Sequence, residues 1–84
     1  MVLLDVSLLS PRQELFQGTA RSVIAPGEEG VFEVLPFHKR LLTRLIAGVL
    51  FIDETSYRFK RGILKVNQNQ VTIIIEGAQR IHES

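Results

Sequence analysis

An all-β fold, a two-sheet sandwich or flattened barrel of about nine or ten short strands, is the architecture these 84 residues predict. Three observations carry it. Short apolar runs are separated by turn residues at intervals of roughly 8–12 positions, as in sandwiches and barrels. Leu4, Val6 and Leu8 alternate with Asp5 and Ser7, which makes one face of a first strand apolar. Val71-Thr72-Ile73-Ile74-Ile75 is β-branched throughout, and such side chains fit a pleated surface better than a helix. That many short strands in one domain, residues 1–84, require two layers to cover their apolar faces.

The elements follow in order. Ser10-Pro11 breaks the first strand. Leu15 and Phe16 open a second piece, which Gly18 ends or bends. Residues 20–25 form a third, closed by Pro26-Gly27, a type II turn signal because proline presets φ and glycine accepts positive φ. Glu28 and Glu29 stand at the tip, followed by Gly30. Residues 31–35 read as a strand stopped by Pro36, and residues 37–40 as a loop. Residues 41–46 fit a helical turn or a short strand, ended by Gly48. Residues 49–52 and 55–60 pair as a hairpin around Asp53-Glu54. Gly62 precedes a strand over 63–66, and residues 67–69 turn into 71–75, since asparagine tolerates positive φ. Residues 79–84 show no usable periodicity.

Composition narrows the function. There is no cysteine, so neither disulfides nor thiolate metal sites arise. The longest apolar runs, 49–52 and 71–75, are far too short to cross a bilayer, and residues 1–9 lack the basic start of a secretory signal. These features lead us to expect a soluble protein of a reducing compartment. The net charge of +1 is unevenly spread. Residues 1–38 carry two basic and five acidic groups, 39–65 seven and two, and 66–84 one and two, or −3, +5 and −1. Such a split fits two faces for two partners, and equally an ordinary solvated surface.

Three local patterns resemble one family. They are Phe16-Gln17-Gly18 and, further on, Pro26-Gly27-Glu28-Glu29-Gly30 with Leu35-Pro36-Phe37-His38, Leu41-Leu42-Thr43 and Gly48. The third is Gly62-Ile63-Leu64-Lys65-Val66 with Asn69-Gln70-Val71-Thr72-Ile73. Their order and spacing are similar to the N-terminal β-sandwich of the ε subunit of rotary F-type ATP synthases. The sequence departs from the family at Glu33 and Phe37, where glycine is common, at Arg40, where proline is common, and at Arg61, where a second glycine is common. The loop over residues 36–42 is therefore expected to be bulkier and more basic than usual.

The resemblance implies a non-catalytic rotor subunit, peripheral on the cytoplasmic face of the bacterial inner membrane. It would bind the γ subunit and the membrane c-ring and pass ion-driven rotation to the catalytic head. Pro26, Gly27, Glu28, Glu29, Gly30 and Val31 would face the c-ring; His38, Lys39, Leu42 and Thr43 would meet γ. The sequence stops at Ser84, before the family's two-helix domain, so neither its inhibitory role nor ATP binding is expected. No cofactor or metal is expected, since His38 and His82 are the only histidines.

Two rival readings have their own residues. Phe16, Phe32, Phe51, Tyr57 and Phe59, with Lys39, Arg40, Arg44, Arg58, Lys60 and Arg61, are the raw material of a single-stranded nucleic-acid surface over 39–65. Yet on a strand Tyr57, Phe59 and Arg61 share one face, and Arg58 and Lys60 the other, so a buried aromatic face with a basic outer face explains the pattern without nucleic acid. The other rival is a generic protein adaptor. Catalysis finds no P-loop, GxSxG, HExxH or cysteine nucleophile. A phosphate cradle at residues 26–30 fails because no helix or lysine follows in register.

Overall fold

A computed structural model describes residues 2–81. The strands are β1 (Leu4–Leu9), β2 (Glu14–Ala20), β3 (Val23–Gly27), β4 (Gly30–Val34), β5 (Leu41–Leu45), β6 (Gly48–Ile52), β7 (Thr55–Phe59), β8 (Arg61–Asn67), β9 (Gln70–Glu76) and β10 (Gln79–Arg80). Their hydrogen-bonded order is β10-β7-β6-β3-β5-β8-β9-β1-β2, with β4 also paired to β3. All pairs are antiparallel except β1 with β9. The sheet curls at β3, so that β1, β2, β5, β8 and β9 form one layer and the remaining strands the other. The expected all-β sandwich is therefore present, built from one continuous curled sheet.

Alternation explains the core. On β1, Leu4, Val6 and Leu8 are buried; on β8, Leu64 and Val66; on β9, Val71, Ile73 and Ile75. The facing layer supplies Val23, Ala25, Val34, Leu50, Ile52, Tyr57 and Phe59, and all of these join a single cluster. No polar side chain is buried among the described residues. Tyr57 keeps its ring in the core and donates its hydroxyl to the Leu15 carbonyl at 3.2 Å.

Several local expectations change. Pro26-Gly27 is not the turn. Both residues lie in β3, opposite Val31 and Gly30, and the tip is Glu28-Glu29 alone. The reason is an irregularity in the strands that follow on its other side. From Ile24↔Phe51 to Gly27↔Leu45, β3 advances three residues while its partner moves back six. Pro26 sits against that irregularity, where its missing N–H breaks no ladder bond, and its carbonyl accepts from Ile46 N at 3.0 Å. Residues 41–45 resolve as a strand through pairing with β8. Gly18 does not end β2, which runs on to Ala20. Arg61 does not share the Tyr57 face, because the strand stops at Phe59; Arg61 opens β8 and pairs with Glu76 at 3.1 Å, both exposed. A short β10 also appears at Gln79-Arg80, held by β7, where the sequence showed no pattern. His82 lies outside the described residues.

Side chains pin the loops. The Asp53 carboxylate accepts from Arg21 N at 2.9 Å and Ser22 N at 3.1 Å, tying the β2–β3 link to the β6–β7 hairpin. Gln68 and Asn69 both have positive φ, 51° and 63°, the geometry of a two-residue hairpin turn.

Candidate interaction surface at the hairpin tip and β5

The tip of the β3–β4 hairpin projects beyond the sandwich because β3 has no further partner after Gly27. Glu28, Glu29, Gly30 and Val31 are exposed, Val31 by 74%, whereas Pro26 and Gly27 are buried beneath them. Gly30 has φ +124°, a conformation open to glycine and strained for other residues. Across from the tip stand His38, Lys39 and Thr43. Between them runs a groove of about 750 Å³, whose walls are the stretch from Gly27 to Phe32 on one side and His38, Lys39, Leu41 and Thr43 on the other. The two groups expected to meet different partners thus face one another. Leu42 is the exception. Strand alternation turns it to the outer face, where it is 72% exposed.

The intervening loop is held by Asn69, which the sequence marked as a turn former and as part of the third pattern but not as a loop anchor. His38 N donates to Leu35 O at 3.1 Å, closing a turn with Pro36 and Phe37 at its centre. Phe37 N donates to Asn69 Oδ1 at 2.6 Å. Asn69 in turn accepts from Asp5 N at 2.8 Å through its carbonyl, so it links this loop to the start of β1. Phe37 occupies φ +70° and is 77% exposed, in a left-handed conformation that glycine adopts without penalty. A non-glycine residue there costs about 1–2 kcal/mol. Phe37→Gly is expected to raise stability by about 0.5–1 kcal/mol after the extra entropy of the unfolded chain is subtracted. That corresponds to about 3–6 °C in a thermal melt followed by circular dichroism. A lower melting temperature would show that the ring contributes packing that its exposure conceals.

Of the five aromatic residues named for stacking, only Phe51 is exposed, by 42%, which leaves no row of rings for successive bases. Tyr57 and Phe59 are core, Phe16 and Phe32 pack against it, and Arg58 and Lys60 point outward. No group of three His, Cys, Asp or Glu side chains with metal-site spacing occurs among the described residues.

The structure defines the class as an all-β sandwich with an apolar core, an open groove at one end and exposed apolar side chains beside it. The family described as ATP synthase, Delta/Epsilon chain, beta-sandwich domain matches residues 3–81, and the chain belongs to that family. An ATP synthase epsilon chain of a Nitratiruptor species is 40% identical over 80 residues, covering 89% of this chain and 62% of that relative. One of Helicobacter acinonychis (strain Sheeba) is 38% identical over 82 residues, covering 93% and 67%. The chain thus spans a little under two thirds of the Nitratiruptor relative. The same fold occurs in solved structures. A chain in the Euglena gracilis mitochondrial ATP synthase, resolved with OSCP, F1 and c-ring, superposes with a TM-score of 0.85 at 21% identity, covering 93% of this chain and 53% of that one. A chain in the Tetrahymena thermophila mitochondrial ATP synthase central stalk and c-ring does so with 0.75 at 20%, covering 90% and 65%.

Proposed function

We propose that this β-sandwich acts in the central stalk of an F-type ATP synthase, binding the γ subunit and the c-ring. It would sit peripherally on the cytoplasmic face of the membrane and do mechanical rather than chemical work. The observation that carries the reading is the groove itself. It brings Glu28, Glu29 and Val31 on the projecting tip opposite His38, Lys39 and Thr43, in a chain of the δ/ε family. The tip offers two carboxylates and an apolar side chain, a suitable end for basic polar loops of a ring. The β5 side offers a cationic and apolar surface to a second partner. A permanent assembly needs a large, partly apolar interface, which the exposed Val31 and Leu42 help supply.

The test mixes the chain with γ, with and without c-ring, and measures complex mass by gel filtration with light scattering. A one-to-one γ complex is expected, weakened by changes at His38 and Thr43. Glu28→Lys with Glu29→Lys should weaken c-ring binding about tenfold at low ionic strength, equivalent to roughly 1.4 kcal/mol. The loss should shrink as salt screens exposed charges, and γ binding should stay within about twofold. No γ complex at micromolar concentration would overturn the reading.

A further inference from the structure

Beside the groove, β5 has one edge that is paired and one that is open. On one side β5 pairs with β8 over its whole length, from Leu41↔Val66 to Leu45↔Gly62. On the other side it meets β3 at a single position, Gly27↔Leu45, because β3 turns away at the Glu28-Glu29 tip. Among the described residues, no backbone bond to a neighbouring strand closes that side of residues 41–44. In an antiparallel ladder alternate residues direct N–H and C=O to each side. Ile46 N reaches Pro26 O on this side, so Leu42 and Arg44 share it. They present the N–H and C=O of Leu42 and the N–H of Arg44, while the Arg44 carbonyl accepts from the Thr43 hydroxyl at 3.3 Å. It borders the 750 Å³ groove, leaving room for another extended chain.

We propose that this edge accepts an extended segment of a protein partner as an added strand, and that the segment alternates acidic and apolar residues. The side chains of β5 specify that pattern. Leu42 and Arg44 are exposed on the outer face, and Arg40, two positions before Leu42, extends the alternation. Behind them on β8 stand Lys65, paired with Leu42, and Ile63, paired with Arg44. On that face the Glu76 carboxylate is held by Arg61 at 3.1 Å. Cross-strand neighbours of opposite charge stabilise a ladder and like charges oppose it. An incoming strand with acidic residues flanking an apolar one therefore matches Arg40, Leu42 and Arg44. Its opposite face would fill the groove beside Leu41 and Thr43. A second copy is disfavoured, because antiparallel self-pairing centred on Leu42 places Arg40 against Arg44. This inference rests on the reading of the surface as a protein interface, and main-chain bonding supplies its mode.

The test is amide NMR with hydrogen exchange on the 84-residue chain, titrated with a blocked hexapeptide of alternating Glu and Val. Shift changes should centre on residues 41–44, and alternate amides there should exchange about tenfold more slowly near saturation. A Lys-Val peptide should bind about tenfold more weakly, and Arg40→Glu with Arg44→Glu should reverse that preference without unfolding the chain. Shifts mapping elsewhere, or none up to millimolar peptide, would overturn the proposal. So would protection that grows with protein concentration in the absence of peptide, which is the signature of self-pairing. The γ assay separates the two readings. A γ complex in which residues 41–44 exchange as in the free chain sinks strand addition and leaves the stalk role standing. Peptide protection without γ binding does the reverse.

Discussion

Gly62→Val is expected to lower the stability of the domain by about 3 kcal/mol. A Cβ built at Gly62 lies 2.7 Å from the Ile74 carbonyl oxygen and 2.7 Å from Ile75 Cγ2. The first is backbone in the neighbouring ladder, where Gly62 faces Ile75 directly. The second belongs to a fully buried side chain with no free space to swing into. Opposing this, any replacement of glycine stiffens the unfolded chain, a gain of about 0.4–1 kcal/mol, and valine favours strands. The steric term wins, because overpacking a closed site costs about 1–3 kcal/mol and valine adds two methyls beyond the first clash. Against a total of roughly 4–13 kcal/mol for a domain of this size, the midpoint of thermal unfolding should fall by about 12–20 °C. Gly18→Ala is the control. Its Cβ would meet only Phe16 at 3.5 Å, an ordinary contact, so stability should move by less than about 0.5 kcal/mol. Equal shifts for the two glycines would refute the close approach between β8 and β9.

The β1 alternation, the Asp53-Glu54 and Asn67-to-Asn69 turns and the aromatic face of β7 were all legible because they are set by neighbours in sequence. What was not legible depends on partners far along the chain. Residues 41–46 have leucines at spacings that suit a helix or a strand, and only the ladder to β8 decides. Pro26-Gly27 has the right chemistry for a turn, yet the irregularity opposite it at Ile46 lets the proline stay within β3. Two residues suffice for β10 because β7 provides the register. The same distinction governs the interaction surface. Motif order identified the tip and the loop after Pro36 as belonging to one family. That they face each other across a groove, that Asn69 anchors Phe37, and that β5 has an open edge are consequences of chain reversal and of pairings that stop.

Ile73→Ala and Ile74→Ala turn the register of β9 into a measurement. The two residues are chemically identical and adjacent, but Ile73 is fully buried and Ile74 is 47% exposed. Ile73 stands between Leu8 of β1 and Leu64 of β8, which are themselves fully buried. Neither neighbour can relax into the gap without pulling its own strand off the ladder, so the truncation leaves a cavity as well as losing apolar burial. A loss of about 3–5 kcal/mol is expected for Ile73→Ala, against about 1 kcal/mol or less for Ile74→Ala. Ile73→Val, which removes one methylene, should fall at about 1 kcal/mol. Urea unfolding followed by circular dichroism reads all three, and an unchanged denaturant slope would show that the native core, not the unfolded ensemble, has been altered. Because strand side chains alternate with a period of two, a slip of one residue would exchange the roles of 73 and 74. If Ile74→Ala proves the costlier change, β9 is paired one residue away from this register. Ile74 would then stand in the core opposite Leu64, and Ile73 would join Ile63, Leu42 and Arg44 on the exposed face.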